Sequence, residues 1–189
     1  MKTKLLMLTV AMSCAFAGNA MALTKAEYTT HKDQITADYK ASREKCNAMK
    51  DNAKDICVSE AKGTEKIAKA ELEAQYQPSA KHTRDVAMAK ADATYDTAKE
   101  KCDDLAGNPK DVCVKDAKAA HVRAKEDAKV VKASADTSKE KAEKMSDVKK
   151  EASAEKREAD YKAAKERCDS LTGAAKDTCQ NDAKTKFGM

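Results

Sequence analysis

The sequence has few of the residues from which a large hydrophobic core is built. Its 189 residues include no Trp, 4% aromatic residues, five Gly and two Pro. Alanine, which is abundant, favours helices but contributes little buried area, and one buried CH₂ group is worth only about 0.8 kcal/mol. With 37% charged residues, the composition is typical of long helices or coiled coils, although disordered chains share it. A preorganised active site, which needs a rigid core, is therefore not predicted.

The chain also lacks a marked excess of either charge. Its formal net charge is +5, and without Lys2 and Lys4 in the N-terminal segment, 35 basic and 32 acidic side chains remain. Because the two signs are interspersed, no basic stripe of the kind that binds nucleic acid is visible along the chain. The sequence predicts a solvated helix surface of mixed charge and no nucleic-acid partner.

One apolar run stands out, and it lies at the N-terminus. Leu5–Ala17 follows two lysines and is too short to span a bilayer, which takes about 20 residues. Ala20-Met21-Ala22 fits a small-x-small cleavage pattern before Leu23, and a cut after Ala17 remains an alternative. Residues 1–22 are therefore predicted to be a signal peptide. The mature chain, with no transmembrane segment, is expected in the periplasm or outside the cell.

The mature chain contains three copies of one unit, which indicates a repeat architecture. In each copy a Tyr stands seven residues before a Cys, and a second Cys follows eleven residues later. The copies are Tyr39–Lys62, Tyr95–Lys118 and Tyr161–Lys184, and their cysteine pairs are Cys46/Cys57, Cys102/Cys113 and Cys168/Cys179.

Signals of helix ends divide each copy into two helices joined by a short turn. In the second copy Gly107 is placed to end a helix in the left-handed conformation, Asn108 to cap the next helix, and Pro109 to be its first residue. Gly173 marks the turn of the third copy. Such pairs of helices are antiparallel hairpins.

The first copy departs from this unit, since Asp51 stands in place of the turn glycine, and Asn52 is predicted to cap its second helix. Thr24 and Glu27 form a predicted capping box at the start of the first helix. Pro78 with Ser79 marks the clearest boundary between hairpins.

The predicted fold is all-α, with three elongated, coiled-coil-like antiparallel hairpins. The predicted organisation is a signal peptide (1–22), hairpin 1 (23–78), hairpin 2 (79–135), and a long helix with short hairpin 3 (136–189). Residues 108–172 could form one helix or two with a hinge near Ser134–Ser138. The last helix is expected over roughly Ala175–Lys186.

The cysteine pairs are predicted to form three local disulfides, one in each hairpin. Removal of Cys14 with the signal peptide leaves six of the seven cysteines, an even number in an exported chain. A disulfide that closes a loop of this size is worth on the order of 3 kcal/mol. Reduced pairs could instead bind a soft metal ion, but no C-x-x-C occurs and His31, His82 and His121 do not recur at equivalent positions. We therefore predict no metal site and no cofactor.

Other repeated residues also have structural explanations. Tyr39, Tyr95 and Tyr161 lie two turns before each first Cys and are predicted to cover the alanine seam rather than bind a ligand. A Lys-Asp pair precedes each second Cys, at Lys54, Lys110 and Lys176, and is attributed to helix capping and the helix dipole.

The unit Y-x-x-A-K-E-[KR]-C-D-x-L-x-G-x-x-K-D-x-C, which spans 95–113 and 161–179, resembles small exported Ala/Lys-rich proteins of Gram-negative bacteria. Those proteins are often described as TolA-like or as cell-envelope biogenesis proteins. The resemblance implies an envelope context.

The sequence thus predicts a non-enzymatic, exported helical repeat protein with a structural or interaction role in the cell envelope. Its expected partners are an envelope protein or a second copy of the chain, bound through the helices. The alternative is a periplasmic binding protein that sequesters a soft metal or protects other proteins in a chaperone-like manner.

Overall fold

Helices form wherever the Ala-, Lys- and Glu-rich stretches are free of Gly and Pro. A computed structural model describes residues 23–134 and 141–189, without the side chains of residues 134 and 141–143. Its six helices are α1 (Lys25–Cys46), α2 (Asp51–Tyr76), α3 (Ala80–Cys102), α4 (Asn108–Ser134), α5 (Lys141–Cys168) and α6 (Gly173–Phe187). The all-α prediction is confirmed, and the region 108–172 contains two helices. The predicted signal peptide and the predicted boundary at 135/136 lie outside the described residues.

Local signals set several helix ends, among them the predicted capping box at Thr24 and the predicted stop before Pro78. The Thr24 N–H donates to Glu27 Oε2 at 2.8 Å, and the Glu27 N–H donates to Thr24 Oγ1 at 3.3 Å, so the capping box is present. The hydrogen bond from the Thr24 backbone holds the pKa of Glu27 below its ordinary value. α2 ends at Tyr76, before Pro78, and Ser79 caps α3 by accepting from the His82 N–H at 3.1 Å.

The helices form a single antiparallel layer. Among the described residues, each helix packs only against the helix before it and the helix after it in the chain. Consecutive helices are antiparallel, so the turns between α1 and α2, α3 and α4, and α5 and α6 lie along one edge, the turn edge. Because the layer is one helix thick, two broad faces are open to solvent.

Small residues fill the contacts between helices. Most of the buried apolar residues are alanines, such as Ala89, Ala91 and Ala93, together with one cysteine of each pair. Gly63 of α2 lies directly against Ala93 of α3, where a Cβ on Gly63 would be 2.8 Å from the Ala93 Cβ. The helices therefore approach closely, and little apolar area is needed to cover each contact.

Candidate functional site

The repeated turn, the part of the molecule that recurs three times, is closed by a disulfide in every copy. The bonds Cys46–Cys57, Cys102–Cys113 and Cys168–Cys179 have Cα–Cα distances of 5.6, 5.7 and 5.7 Å, within the normal range for disulfides. Each joins the last residue of one helix to the second turn of the next. The predicted pairing is confirmed. In this oxidised state the cysteines are not available as metal ligands.

A residue in the left-handed conformation directs each turn. Gly107 and Gly173 have φ of 60° and 58°, and Asp51 takes the same place in the first copy with φ of 50°. Asp tolerates this conformation better than most residues that carry a Cβ. Gly107 does not end α3, as predicted, because that helix ends at Cys102. It instead precedes α4, where its carbonyl accepts from the Lys110 and Asp111 N–H groups at 3.0 and 3.2 Å.

The asparagine after this residue has a different role from the predicted helix cap. Asn52 donates from Nδ2 to the Glu100 carbonyl at 2.7 Å, and Asn108 donates to the Glu166 carbonyl at 3.3 Å. Both bonds run from the start of one hairpin's second helix to the last turn of the next hairpin's first helix. Both carbonyls also accept from the residue three positions further on, at 3.1 Å from the Asp103 and Asp169 N–H groups. A carbonyl oxygen has two lone pairs, so the asparagine supplies a second donor at the helix end. Pro109 lies in the first turn of α4, one residue after the predicted position.

The third copy has Ala174 where the others have asparagine, and among the described residues α6 packs only against α5. The asparagine is therefore present in the two copies whose second helix packs against a further described helix, and absent from the copy whose second helix does not. The sequence shows asparagine at this position in two copies, and from local pattern alone it predicts a helix cap. Only the fold places the acceptor carbonyl within reach.

The repeated lysine beyond each turn also differs from its predicted role in two copies. Lys110 pairs with Asp103, and Lys176 pairs with Asp169, both at 2.9 Å. These ion pairs bridge the two sides of the turn. The hydrogen bond from Lys176 is the main reason that the pKa of Asp169 lies below its ordinary value. The first copy has Asn47 at the position of the aspartate.

The repeated tyrosines are all half-buried, and Tyr95 belongs to a cluster that spans three helices. Its ring stacks on His121 of α4 with centroids 4.6 Å apart. His121 Nε2 lies 2.7 Å from Asp92 Oδ1, and Lys66 of α2 donates to Asp92 Oδ2 at 2.7 Å. Partial burial raises the pKa of Asp92, but the hydrogen bonds from Lys66 and His121 outweigh it and hold the pKa below the ordinary value. The cluster links α2, α3 and α4.

Sequence analysis missed this cluster because His121 does not recur in the other copies. Tyr39 instead accepts a hydrogen bond from Arg43 at 3.4 Å. Within the described part of the chain, no three His, Cys, Asp or Glu side chains come together as metal ligands would.

One buried carboxylate lies apart from the repeated turns. Glu126 of α4 is 5% exposed, and its Oε1 accepts from Lys129 at 2.7 Å while Oε2 has no hydrogen-bond partner. The same hydrogen bond raises the pKa of Lys129. Glu126 lines a cavity with Met145 and Val148 of α5.

Ion pairs between hairpins cover one broad face of the layer, which we call the paired face. Lys101 pairs with Glu60 at 3.2 Å between α3 and α2, and Arg167 pairs with Asp116 at the equivalent place between α5 and α4. Lys90 and Glu71 form a further pair across α3 and α2 at 2.7 Å. The repeat thus places matching charges on opposite sides of each hairpin contact.

These features define a disulfide-linked, all-helical repeat protein. Comparison with known protein families, with curated proteins and with solved structures found no match to this chain. Of the helices that the structure describes, none has the length and apolar character required to cross a membrane.

Proposed function

We propose that the chain is an exported, non-enzymatic protein whose helical layer has a structural or interaction role in the cell envelope. The observation that carries this proposal is the set of three disulfides, one in every hairpin. Disulfides persist in oxidising compartments and are rare in the cytosol. The signal-peptide pattern over residues 1–22 and the resemblance to exported Ala/Lys-rich proteins support the same compartment.

The architecture supports an interaction role better than an enzymatic one. A layer one helix thick exposes most of its side chains on two faces and encloses little volume. Catalytic sites generally need several groups held in a water-excluded pocket. A rigid layer instead presents charged and polar side chains at fixed spacing, which suits recognition of an extended partner.

The compartment is tested with the natural N-terminus expressed in a Gram-negative host. We expect the protein in the periplasmic fraction, beginning at Leu23, and mass spectrometry after alkylation should find no free thiol until a reductant is added. A cytosolic protein with free thiols would contradict export. The envelope role is tested by deletion in the native cell, where detergent sensitivity should rise and be restored by the wild-type gene but not by a C102S/C113S variant.

A chaperone-like role is a second candidate, favoured by the turn edge. Met49, Leu105 and Leu171 occupy equivalent positions in the three turns and are 45%, 43% and 39% exposed. Exposed apolar residues at regular intervals could hold an unfolded chain. An M49S/L105S/L171S variant should lose suppression of client aggregation while A48S/A106S/T172S retains it. If both variants suppress aggregation as well as the wild type, the turn edge is not a client-binding surface.

A further inference from the structure

Every helix contributes one cation to the broad face opposite the paired face. In the first helix of each hairpin the cation stands three residues before the cysteine, and in the second helix it stands five residues after the cysteine. The cations are Arg43, Lys62, Lys99, Lys118, Lys165 and Lys184, which we call the cationic row. The same two positions are basic in all three copies.

The fold brings these residues to one face. Lys62 and Lys99 line the same groove between α2 and α3, and Lys118 lines the equivalent groove between α4 and α5. With a rise of 1.5 Å per residue, a cation of a first helix lies about 4.5 Å along the helix axis from its cysteine, and a cation of a second helix lies about 7.5 Å from its cysteine. The row therefore crosses the layer nearly perpendicular to the helices. At the usual interaxial spacing of 8–10 Å its five intervals span about 40–50 Å.

The row differs from the paired face in having no carboxylate partners. Among the described residues, none of its six cations has a carboxylate oxygen within the 4.0 Å limit of an ion pair. Arg43 hydrogen-bonds the Tyr39 hydroxyl, and the five lysines are exposed. Six aligned, unpaired cations raise the local positive potential and are free to meet an anionic partner.

Acidic residues limit the width of this positive band. Asp55, Asp111 and Asp177 lie two turns from the return-helix lysines toward the turn edge, and Asp92 and Glu158 lie on the other side of the row. Asp96 is an acid within the band, where the other copies have Lys40 and Lys162. An anionic bilayer or a DNA duplex is wide enough to contact these flanking acids and would be repelled by them. A narrow linear polymer would avoid the flanking acids and would meet the cations, with Asp96 and Glu100 as the acids that line the same groove as Lys62 and Lys99.

The recognition elements that other linear polymers need are absent from the described part of the row. Extended peptides are usually bound at a strand edge or in an apolar groove. Single-stranded nucleic acids are bound on stacked aromatic side chains. Tyr39, Tyr95 and Tyr161 each stand four residues before a cation of the row, but all three are half-buried. The Tyr95 ring is already stacked on His121. The exposed groups of the row are its ammonium groups.

We infer that the cationic row is a docking surface for a linear, carboxylated polysaccharide laid across the six helices. Its carboxylates would meet one cation per helix, so affinity would depend on charge spacing and chain length rather than on sugar identity. The inference relies on the proposed function only for the compartment. Thiol analysis and fractionation test export, whereas binding by the purified, oxidised protein tests the row.

The test compares charge-matched variants. K62Q/K99Q/K118Q/K165Q removes four cations of the row, and K25Q/K32Q/K149Q/K150Q removes four exposed lysines elsewhere that form no ion pair. Alginate oligosaccharides shorter and longer than the row serve as probes, with dextran as the neutral control. We expect the row variant to lose about tenfold or more in affinity for long alginate at low salt, and the control about twofold or less.

Further measurements on the wild type and on the variants complete the test. Wild-type affinity should rise with oligosaccharide length up to the span of the row and fall steeply with salt. Equal losses in the two variants, or no dependence on length, would overturn the row as a site. Equal or tighter binding of oligo-dT, poly-Glu or anionic vesicles would overturn the assignment to polysaccharide. Circular dichroism checks the fold, and K62Q/K118Q should show an intermediate loss if folding of the quadruple variant is impaired.

Discussion

The two broad faces of the layer carry lysines at neighbouring positions of the same helices but differ in what those lysines contact. Lys99 and Lys101 are two residues apart on α3. Lys101 meets Glu60 on the paired face, whereas Lys99 lies in the cationic row without a carboxylate partner. Lys165 and Arg167 repeat the contrast on α5, where Arg167 pairs with Asp116.

Helical periodicity explains the contrast. Residues two apart on an α-helix point about 200° from each other, so a Lys-Glu-Lys run supplies a cation to each face. The second helix of each hairpin supplies an acid to one face, at Glu60 or Asp116, and a lysine to the other, at Lys62 or Lys118. A sequence with interspersed charges can therefore fold into one face of matched ion pairs and a second face on which unpaired cations run beside pairs such as Lys66–Asp92.

The largest loss of stability is expected when a disulfide that holds the helical layer together is removed. Replacement of the middle disulfide in C102S/C113S should lower the free energy of unfolding by on the order of 3 kcal/mol, because the reduced chain gains conformational entropy when unfolded. Urea titration measures the change. C168S/C179S opens a loop of equal length and is the matched control, so any larger loss at the middle pair reports packing of α3 and α4. A loss below about 1 kcal/mol would show that the disulfides contribute little to the stability of the layer.

A smaller loss of stability is expected from a change inside the layer, at the contact of Gly63 with Ala93. Gly63→Ala introduces a methyl group at 2.8 Å from the Ala93 Cβ, which forces α2 and α3 apart. Overpacking costs about 1–3 kcal/mol, and the better helix propensity of Ala offsets about 1 kcal/mol of it. We expect a net loss of about 1 kcal/mol by urea titration. Ala119 occupies the equivalent, buried place in α4, and A119G should also be destabilising. A stabilised G63A variant would contradict the close approach.

The hydrogen bonds of Asn52 and Asn108 join the same pairs of hairpins as the ion pairs of the paired face. Substitution of the asparagines measures how much these hydrogen bonds, separately from the ion pairs, stabilise the contact between hairpins. Asn108→Ala removes the hydrogen bond from α4 to the Glu166 carbonyl, which keeps only the Asp169 N–H as a donor, and should cost about 1 kcal/mol. Asn52→Ala should behave similarly, whereas Ala174→Asn should change stability little, because in the described structure α6 packs only against α5. Thermal unfolding provides the measurement. Equal effects at positions 108 and 174 would show that the links do not stabilise the stack.

The smallest changes in stability are expected from single charge substitutions, one on each face. Glu60→Gln breaks an exposed ion pair and should lower stability by roughly 0.5 kcal/mol at low salt. Lys62→Gln, two residues away, removes a cation without a carboxylate partner and should leave stability unchanged or slightly higher, because repulsion within the row falls. The difference between the two variants should vanish at high salt, where exposed charges are screened. Equal losses at low salt would mean that the two faces do not differ electrostatically.

Most of the secondary structure could be predicted because its signals are local. The capping box at Thr24, the stop at Pro78 and the cysteine spacing all act within about three helical turns. The roles of Asn52 and Asn108 could not be predicted, since their acceptors are 48 and 58 residues away along the chain. The cluster of His121, Asp92 and Lys66 was missed for the same reason: each residue comes from a different helix and no repeat marks it.

The sequence by itself determined the all-α class, the three hairpins and the disulfide of each hairpin, because neighbours along the chain and a short loop specify them. It left open whether residues 108–172 form one helix or two. Tertiary structure alone decided that the hairpins lie side by side in one layer, and hence which lysines are paired and which form the cationic row. The physical reason is register. The close contact of Gly63 with Ala93, the asparagine links and the ion pairs fix how far one helix slides along the next, and only that offset aligns residues from six helices.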